Sequence, residues 1–129
     1  MEAVGKYIGK INKEIYRCIT KDIVTDEVII TNNQIEHIKF RHREALELAR
    51  CSISEALSEP DFIFRDKHPN TGLVVKKISV SGNHIQIVLR ICTSSDEVGY
   101  KNSIISYWQI SESRLANYLR NKEVLYRKE

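Results

Sequence analysis

The second half of the chain is a series of short strand patterns joined by turns, and this limits the possible folds most. Between residues 85 and 92, side chains of two kinds alternate, as in a strand with one face in the core and the other partly exposed to solvent. The predicted core face carries Ile85, Ile87, Leu89 and Ile91, and the partly exposed face carries Gln86, Val88, Arg90 and Cys92. Turn-forming residues at 68–72 and 81–84 connect predicted strands at 62–64 and 73–80 to this strand, and a loop at 94–99 leads to a further predicted strand at 103–110. The hairpin spacing predicts an antiparallel sheet.

In the first half of the chain, the spacing of apolar residues changes from a strand pattern to a helix pattern. Residues 4–11, 14–19 and 27–30 are rich in β-branched and aromatic residues and predict extended segments. After Thr31, which with Asn32 and Asn33 offers capping side chains, apolar residues recur at helical spacing as far as Ala49 and predict a helix from about 32, with an interruption near 42–44. A second helix is predicted at about 52–58, before Pro60, and a third between Ser111 and about 121, followed by an edge strand at 124–126. Helices followed by hairpin-linked strands indicate the α+β class.

Length and composition place the chain among ordinary globular domains. Its 129 residues correspond to one domain, and no apolar run approaches the ~20 residues of a membrane helix. No secretory signal precedes the first strand pattern. The widely spaced Cys18, Cys51 and Cys92 predict free thiols in a reducing, cytoplasmic compartment. The net charge of +3 is modest, so only a local concentration of basic residues would indicate a nucleic-acid partner.

The most basic short segment is 37–43, which contains His37, Lys39, Arg41, His42 and Arg43 and no acid. His37 and Arg41 are four residues apart and therefore neighbours on a helix surface. A guanidinium beside an imidazole favours its neutral form, which can act as a general base, and it can also hold a phosphate. The alternative is a solvated helix face, with His42 as a hydrogen-bonded core residue.

Polar residues on the predicted strands form a second candidate group. Arg90 stands on the wetter face of its strand, and Lys101, Asn102, Ser103 and Ser106 surround the start of the next. In strict alternation, Ser103 would share a face with Ile105 and Tyr107, and Ser106 would share the other with Ile104 and Trp108. These groups could bind phosphate, or they could be ordinary polar residues at a strand start.

The two remaining histidines, His68 and His84, are interpreted as turn residues. No closely spaced histidine or cysteine pair predicts a metal site, and no cofactor motif is present. The acids between 52 and 66 are interpreted as a solvated helix end rather than a magnesium site.

Five segments in order resemble the phage-type branch of the barnase/EndoU/colicin/RelE-like (BECR) ribonucleases. They are ITNNQIEHIKFRH (30–42), PDFIFRDKHPNTGLVVKKI (60–78), IQIVLRICTS (85–94), YKNSIISYWQI (100–110) and YLRNKEVLYRKE (118–129). The resemblance covers about 25–129, and residues 1–24 are interpreted as extra strands. It implies an α+β fold in which N-terminal helices pack on a four- to five-stranded antiparallel sheet, with a C-terminal helix.

The resemblance also implies metal-independent endoribonuclease activity in a phage, mobile-element or toxin-type domain. RNA, with tRNA as one candidate, would be the substrate, and an immunity protein a further partner. The 2′-OH would attack the adjacent phosphorus and leave a 2′,3′-cyclic phosphate. The residues that match the family's catalytic positions are His37, Arg41, His42, Arg90, Ser103 and Ser106. RNA contacts are expected from Lys39, Arg43, Lys101 and Asn102.

Two other functions compete with this one. The same fold could serve as a non-catalytic module that binds RNA or a protein, and the low net charge favours that alternative slightly. A nuclease acting on DNA is disfavoured, because DNA lacks the 2′-OH and no metal-binding motif is visible in the sequence.

Overall fold

A computed structural model of the chain describes residues 5–41, 50–77 and 83–129. Within these ranges the helices are α1 (Lys13–Tyr16), α2 (Asn32–Arg41), α3 (Arg50–Ser58) and α4 (Glu112–Asn121). The strands are β1 (Gly5–Lys10), β2 (Glu27–Thr31), β3 (Phe62–Arg65), β4 (Thr71–Lys77), β5 (His84–Arg90), β6 (Asn102–Ile110) and β7 (Val124–Arg127).

The sheet is larger than expected and is not purely antiparallel. In the described residues it has seven strands in the order β1-β2-β6-β5-β4-β3-β7, and β2 pairs with β6 in parallel. The expectation of N-terminal helices on a four- to five-stranded antiparallel sheet is therefore wrong, although the α+β class fits. A strand precedes the first helix, and β1 and β2 both belong to the sheet.

The burial of β2 accounts for its position inside the sheet. Val28, Ile29 and Ile30 are all buried, so both faces of this strand are covered. A strand of this kind is stable inside a sheet, with neighbours on both sides, rather than at an edge. Here β1 lies on one side of β2 and β6 on the other. The connection from β2 to the rest of the sheet runs through α2 and α3, and such a crossover allows parallel pairing.

One face of the sheet carries the main core, together with α1, α2 and α3. Ile85, Ile87 and Leu89 of β5 are fully or almost fully buried there, as the alternation predicted. Tyr16, Ile38 and the α3 residues Ile53, Ala56 and Leu57 pack into the same cluster. The Tyr16 hydroxyl donates a 2.7 Å hydrogen bond to the Leu57 carbonyl and so joins α1 to the end of α3. We call this side of the sheet the core face.

The opposite face is covered over part of its area by α4. Leu115 and Tyr118 pack on Phe62, Phe64, Leu73 and Val75. Ser111 begins α4 as predicted, since its hydroxyl accepts a 3.1 Å hydrogen bond from the Arg114 N–H. The part that α4 leaves uncovered includes Val88 and Arg90, which are half-buried. We call this side the open face.

Two local expectations need correction. The segment 14–19, expected to be extended, begins in α1, where the Asn12 side chain caps the helix by accepting from the Glu14 N–H at 3.0 Å. His84, expected in a turn, is the first residue of β5 and is buried. Its Nε2 lies 2.6 Å from Glu112 Oε1 at the start of α4, so this contact attaches the helix to the strand.

None of the helices within the described residues is long and apolar enough to cross a membrane. Cys18 and Cys92 are free thiols. The side chain of Cys51 lies outside the described residues.

Candidate functional site

A bulge in β6 changes which side chains reach the open face. Val88 of β5 pairs with Ser106, but the next residue, Leu89, pairs with Ile104, so Ile105 has no partner across the β5–β6 ladder. Such an extra residue breaks the alternation and re-aims side chains. Ser103, which pairs with Arg90, and Ser106, which pairs with Val88, consequently share the open face. Strict alternation had placed these two serines on opposite faces.

A cleft lies beside this bulge on the open face. It has a volume of about 370 Å³ and is lined by Asp66, His68, Pro69, Thr71, Val88, Arg90 and Ile105. The β3–β4 turn supplies the first three residues, and β4, β5 and β6 supply the rest. Thr71 pairs with Arg90 across β4 and β5, so their side chains are neighbours. The cleft therefore joins a turn to the end of the central strands.

Asp66 orients the imidazole of His68. Its Oδ2 lies 2.9 Å from His68 Nδ1 and also accepts the His68 backbone N–H at 2.9 Å. Because a carboxylate oxygen only accepts, Nδ1 donates, and the lone pair of the neutral ring is left on Nε2. The Asp66 side chain is 16% exposed whereas that of His68 is 68% exposed. A fixed carboxylate thus holds an accessible imidazole in the tautomer that general-base chemistry uses.

Asp96 fixes the guanidinium of Arg90 in a similar way. Arg90 Nη1 and Nη2 donate to the two oxygens of Asp96 at 3.1 and 2.9 Å. The Thr93 N–H donates to the same carboxylate at 2.8 Å. The hydrogen bonds from Arg90 and from Thr93 lower the pKa of Asp96 below its ordinary value of 3.8. Arg90 remains charged, since the Asp96 contact raises its pKa further.

The loop that carries Asp96 is itself anchored. Asp22 accepts hydrogen bonds from the backbone N–H and the hydroxyl of Ser94, the latter at 2.6 Å. The Val24 N–H donates to the Cys92 carbonyl at 3.3 Å. The segment before β2 therefore fixes the loop after β5, and through it the position of Arg90.

The two serines predicted on β6 stand beside the cleft. Ser103 is half-buried, and Ser106 is 6% exposed. The Ser106 Oγ is buried and has no hydrogen-bond partner among the described residues. The structure thus places Arg90, Ser103 and Ser106 near one another on the open face.

Asn102 and Lys101, predicted to contact RNA, have other partners. Asn102 is fully buried; its Oδ1 accepts the Cys92 N–H at 2.8 Å, and its Nδ2 donates to the carbonyls of Thr25 and Glu27. Lys101 Nζ is paired with Glu27 Oε1. Asn102 therefore joins three backbone segments where β2 meets β6.

The predicted helix residues lie on the other side of the sheet. Ile38 packs into the cluster on the core face, and His37, Lys39 and Arg41 are exposed on α2. The structure therefore does not bring His37 or Arg41 together with Arg90. His42 and Arg43 lie outside the described residues.

Sequence reasoning missed Asp66, His68, Thr71 and Asp96 as members of a site. His68 does lie in the β3–β4 turn, as predicted, but its proximity to Arg90 depends on the pairing of β4 with β5. The available signal was the Asp-x-His spacing before Pro69, since an aspartate two residues before another residue commonly bonds to it in a turn.

In the described part of the chain, no group of three or more His, Cys, Asp or Glu side chains is placed to hold a metal ion. Comparison with models of known protein families, with curated proteins and with solved structures found no match.

Proposed function

We propose that the chain is a metal-independent endoribonuclease whose site is the cleft on the open face. The observation that carries the proposal is that one cleft contains both the His68 imidazole, oriented by Asp66, and the Arg90 guanidinium, oriented by Asp96. A general base and a fixed cation are two of the groups that phosphodiester cleavage without a metal uses. The resemblance to the BECR ribonucleases supports the same reaction but places the histidine on the helix.

The reaction follows from these positions. His68 Nε2 takes the proton of a ribose 2′-OH, and the 2′-oxygen forms a bond to the adjacent phosphorus. The bond from phosphorus to the 5′-oxygen breaks, and that oxygen takes a proton from a water molecule. Arg90 stabilises the negative charge that builds on the phosphoryl oxygens. The products end in a 2′,3′-cyclic phosphate and a 5′-hydroxyl.

Of the two serines on β6, one has a supporting role in this proposal. Ser103 lies opposite Arg90, so its hydroxyl is placed next to the guanidinium and would help to hold the phosphate in line for attack. Ser106 lies opposite Val88, and because its Oγ is buried, it is not expected to contact the phosphate. The toxin-type role, the cytoplasmic location, tRNA as a substrate and an immunity protein as a partner remain parts of the proposal that rest on the sequence alone.

The test is RNA cleavage by the purified chain in excess EDTA. Total tRNA and a labelled single-stranded RNA are incubated with the parent, with Arg90→Ala and with Arg120→Ala, which removes an exposed arginine of α4. We expect cyclic-phosphate ends from the parent and from Arg120→Ala, and a loss of about 10²–10³-fold in Arg90→Ala. Equal rates in both variants, or no cleavage of either RNA, would contradict the proposal.

A second function is favoured by one observation. Because Asp96 already neutralises much of the Arg90 charge, the same cleft suits a module that binds RNA or protein without cleaving it. Binding of the labelled RNA without cleavage, with affinity that falls steeply as salt rises, would favour an RNA-binding module.

A further inference from the structure

Part of the cleft lining is apolar and consists of Pro69, Val88 and Ile105. Val88 and Ile105 are only half-buried, although large aliphatic side chains on neighbouring strands are normally covered. An apolar concave surface of this kind is typical of a ligand site, with polar groups at its rim to fix orientation.

The bulge in β6 creates this surface. Ile105 has no partner in β5, because Val88 pairs with Ser106 and the next residue, Leu89, pairs with Ile104. A regular strand of this sequence would put either Ser103 or Ser106 on the core face. With the bulge, the Ile105 side chain lines the cleft between the two serine positions, beside Val88. The apolar wall and the hydroxyl groups are therefore products of one backbone irregularity.

We propose that this apolar wall, formed by Pro69, Val88 and Ile105, is a subsite for one unpaired nucleobase of the RNA, a proposal that rests on the function proposed above. The base would lie against Val88 and Ile105, and the phosphate attached to its ribose would lie at Arg90. The cleft's volume of about 370 Å³ is near the lower limit for ligand pockets (roughly 300–1,000 Å³), which suits one nucleotide rather than a stacked helix.

Charge and chemistry both favour this occupant. The cleft combines a guanidinium with apolar side chains, and a nucleotide likewise combines a charged phosphate with a base. An unpaired base presents a flat apolar face that a paired, stacked base does not expose. The subsite consequently selects single-stranded RNA.

The experiment measures base and phosphate binding separately on the whole chain. ¹⁵N-labelled protein is titrated with adenosine 3′-monophosphate, cytidine 3′-monophosphate, ribose 5-phosphate and inorganic phosphate. We expect the nucleotides to bind about tenfold more tightly than the other two, because contact with a base adds to the phosphate interaction. On nucleotide binding, we expect changes in the amide chemical shifts of Thr71, Val88 and Ile105.

Two variants and one control locate the effect. Ile105→Ser should bring the nucleotide affinities to within about twofold of phosphate and leave phosphate binding unchanged. Val88→Thr, which keeps the volume but adds a hydroxyl, should act in the same direction. Ile8→Ser removes a half-buried isoleucine that packs on the core face and should change neither affinity.

The outcomes separate this proposal from the ribonuclease activity. Equal affinity for nucleotides and phosphate, or no binding of either, would overturn the base subsite even if RNA is cleaved. Tight nucleotide binding without RNA cleavage would retain the subsite and contradict the catalytic function. If Ile105→Ser does not fold, the comparison of the four ligands on the parent still decides.

Discussion

Two aspartates, Asp66 and Asp96, determine what the basic side chains of the cleft can do. Each accepts hydrogen bonds from a backbone N–H as well as from the side chain that it orients. The carboxylates are therefore fixed before any substrate arrives. A histidine and an arginine held in this way lose less conformational freedom when a phosphate binds.

The Asp96 pair gives a pH prediction. Because Arg90 and the Thr93 N–H lower the pKa of Asp96 in the folded chain, the folded state binds this proton more weakly than the unfolded state. The stabilisation is thus present above pH 3.8 and is lost as the pH falls through the lower folded value. Asp96→Asn should lower the free energy of unfolding by about 1 kcal/mol at pH 7. It should also make the free energy of unfolding depend less on pH in the acidic range.

Urea unfolding between pH 2 and pH 7 measures this effect. Glu36→Gln, on the exposed side of α2, serves as the matched control and should keep the parent's pH profile. If the free energy of unfolding of Asp96→Asn falls with decreasing pH as much as that of the parent, the contact with Arg90 does not stabilise the fold.

Asn102 supports a second residue-scale prediction, about stability. Asn102→Ala removes three hydrogen bonds to buried or half-buried backbone groups and should cost about 3 kcal/mol. Asn102→Asp keeps the acceptor for the Cys92 N–H but loses both donors, so it too should destabilise the chain. Chemical denaturation measures both; a loss under about 0.5 kcal/mol in Asn102→Ala would contradict this role.

At the scale of elements, most strands and helices could be predicted from local pattern, but their arrangement could not. The alternation in Ile85–Ile91 and the cap at Ser111 both depend on neighbours in sequence, and both appear in the structure. The parallel pairing of β2 with β6 depends on a contact between residues more than 70 positions apart, Val28 and Asn102. Nothing in the local sequence encodes such a pairing.

The bulge in β6 explains why the site could be predicted only in part. Strict alternation places Ser103 and Ser106 on opposite faces of β6, whereas the bulge brings both to the face that carries Arg90. His68 escaped selection because the Asp-x-His spacing before Pro69 indicates a contact within a turn and does not indicate that this turn lies beside Arg90. His37 and Arg41 have the four-residue spacing of neighbours on a helix, but α2 packs on the other face of the sheet.

The N-cap of α4 gives an element-scale prediction. Ser111→Ala removes the acceptor for the Arg114 N–H and should destabilise the chain by about 1 kcal/mol, whereas Ser111→Asp should be close to neutral. Thermal unfolding followed by circular dichroism compares the two. Equal melting temperatures for Ser111→Ala and the parent would show that this cap is not a source of stability.

On the scale of the whole molecule, helices cover the two faces of the sheet unequally. Three helices pack on the core face, and α4 covers part of the open face, within the described ranges. The remaining area holds the cleft. A seven-stranded sheet is thus large enough to support a packed core on one side and an accessible site on the other.

The modest overall charge leads to a prediction about salt. With a net charge of +3 and Arg90 as the main cation in the cleft, about two phosphate contacts are expected. The apparent KM for single-stranded RNA should then rise by less than about tenfold between 50 and 200 mM salt. Initial rates at several salt concentrations measure this. A rise above about 10³-fold would indicate an extended RNA-binding surface that this account does not contain.

The most direct test of the central claim is to compare His68→Ala with the double variant His37→Ala/His42→Ala for RNA cleavage in EDTA. Loss of the general base should lower the rate by about 10²–10⁴-fold in His68→Ala. The double variant should retain the parent's rate and its cyclic-phosphate ends, because His37 is exposed on the far side of the sheet. The reverse result, with His68→Ala fully active and the double variant inactive, would contradict the cleft as the catalytic site.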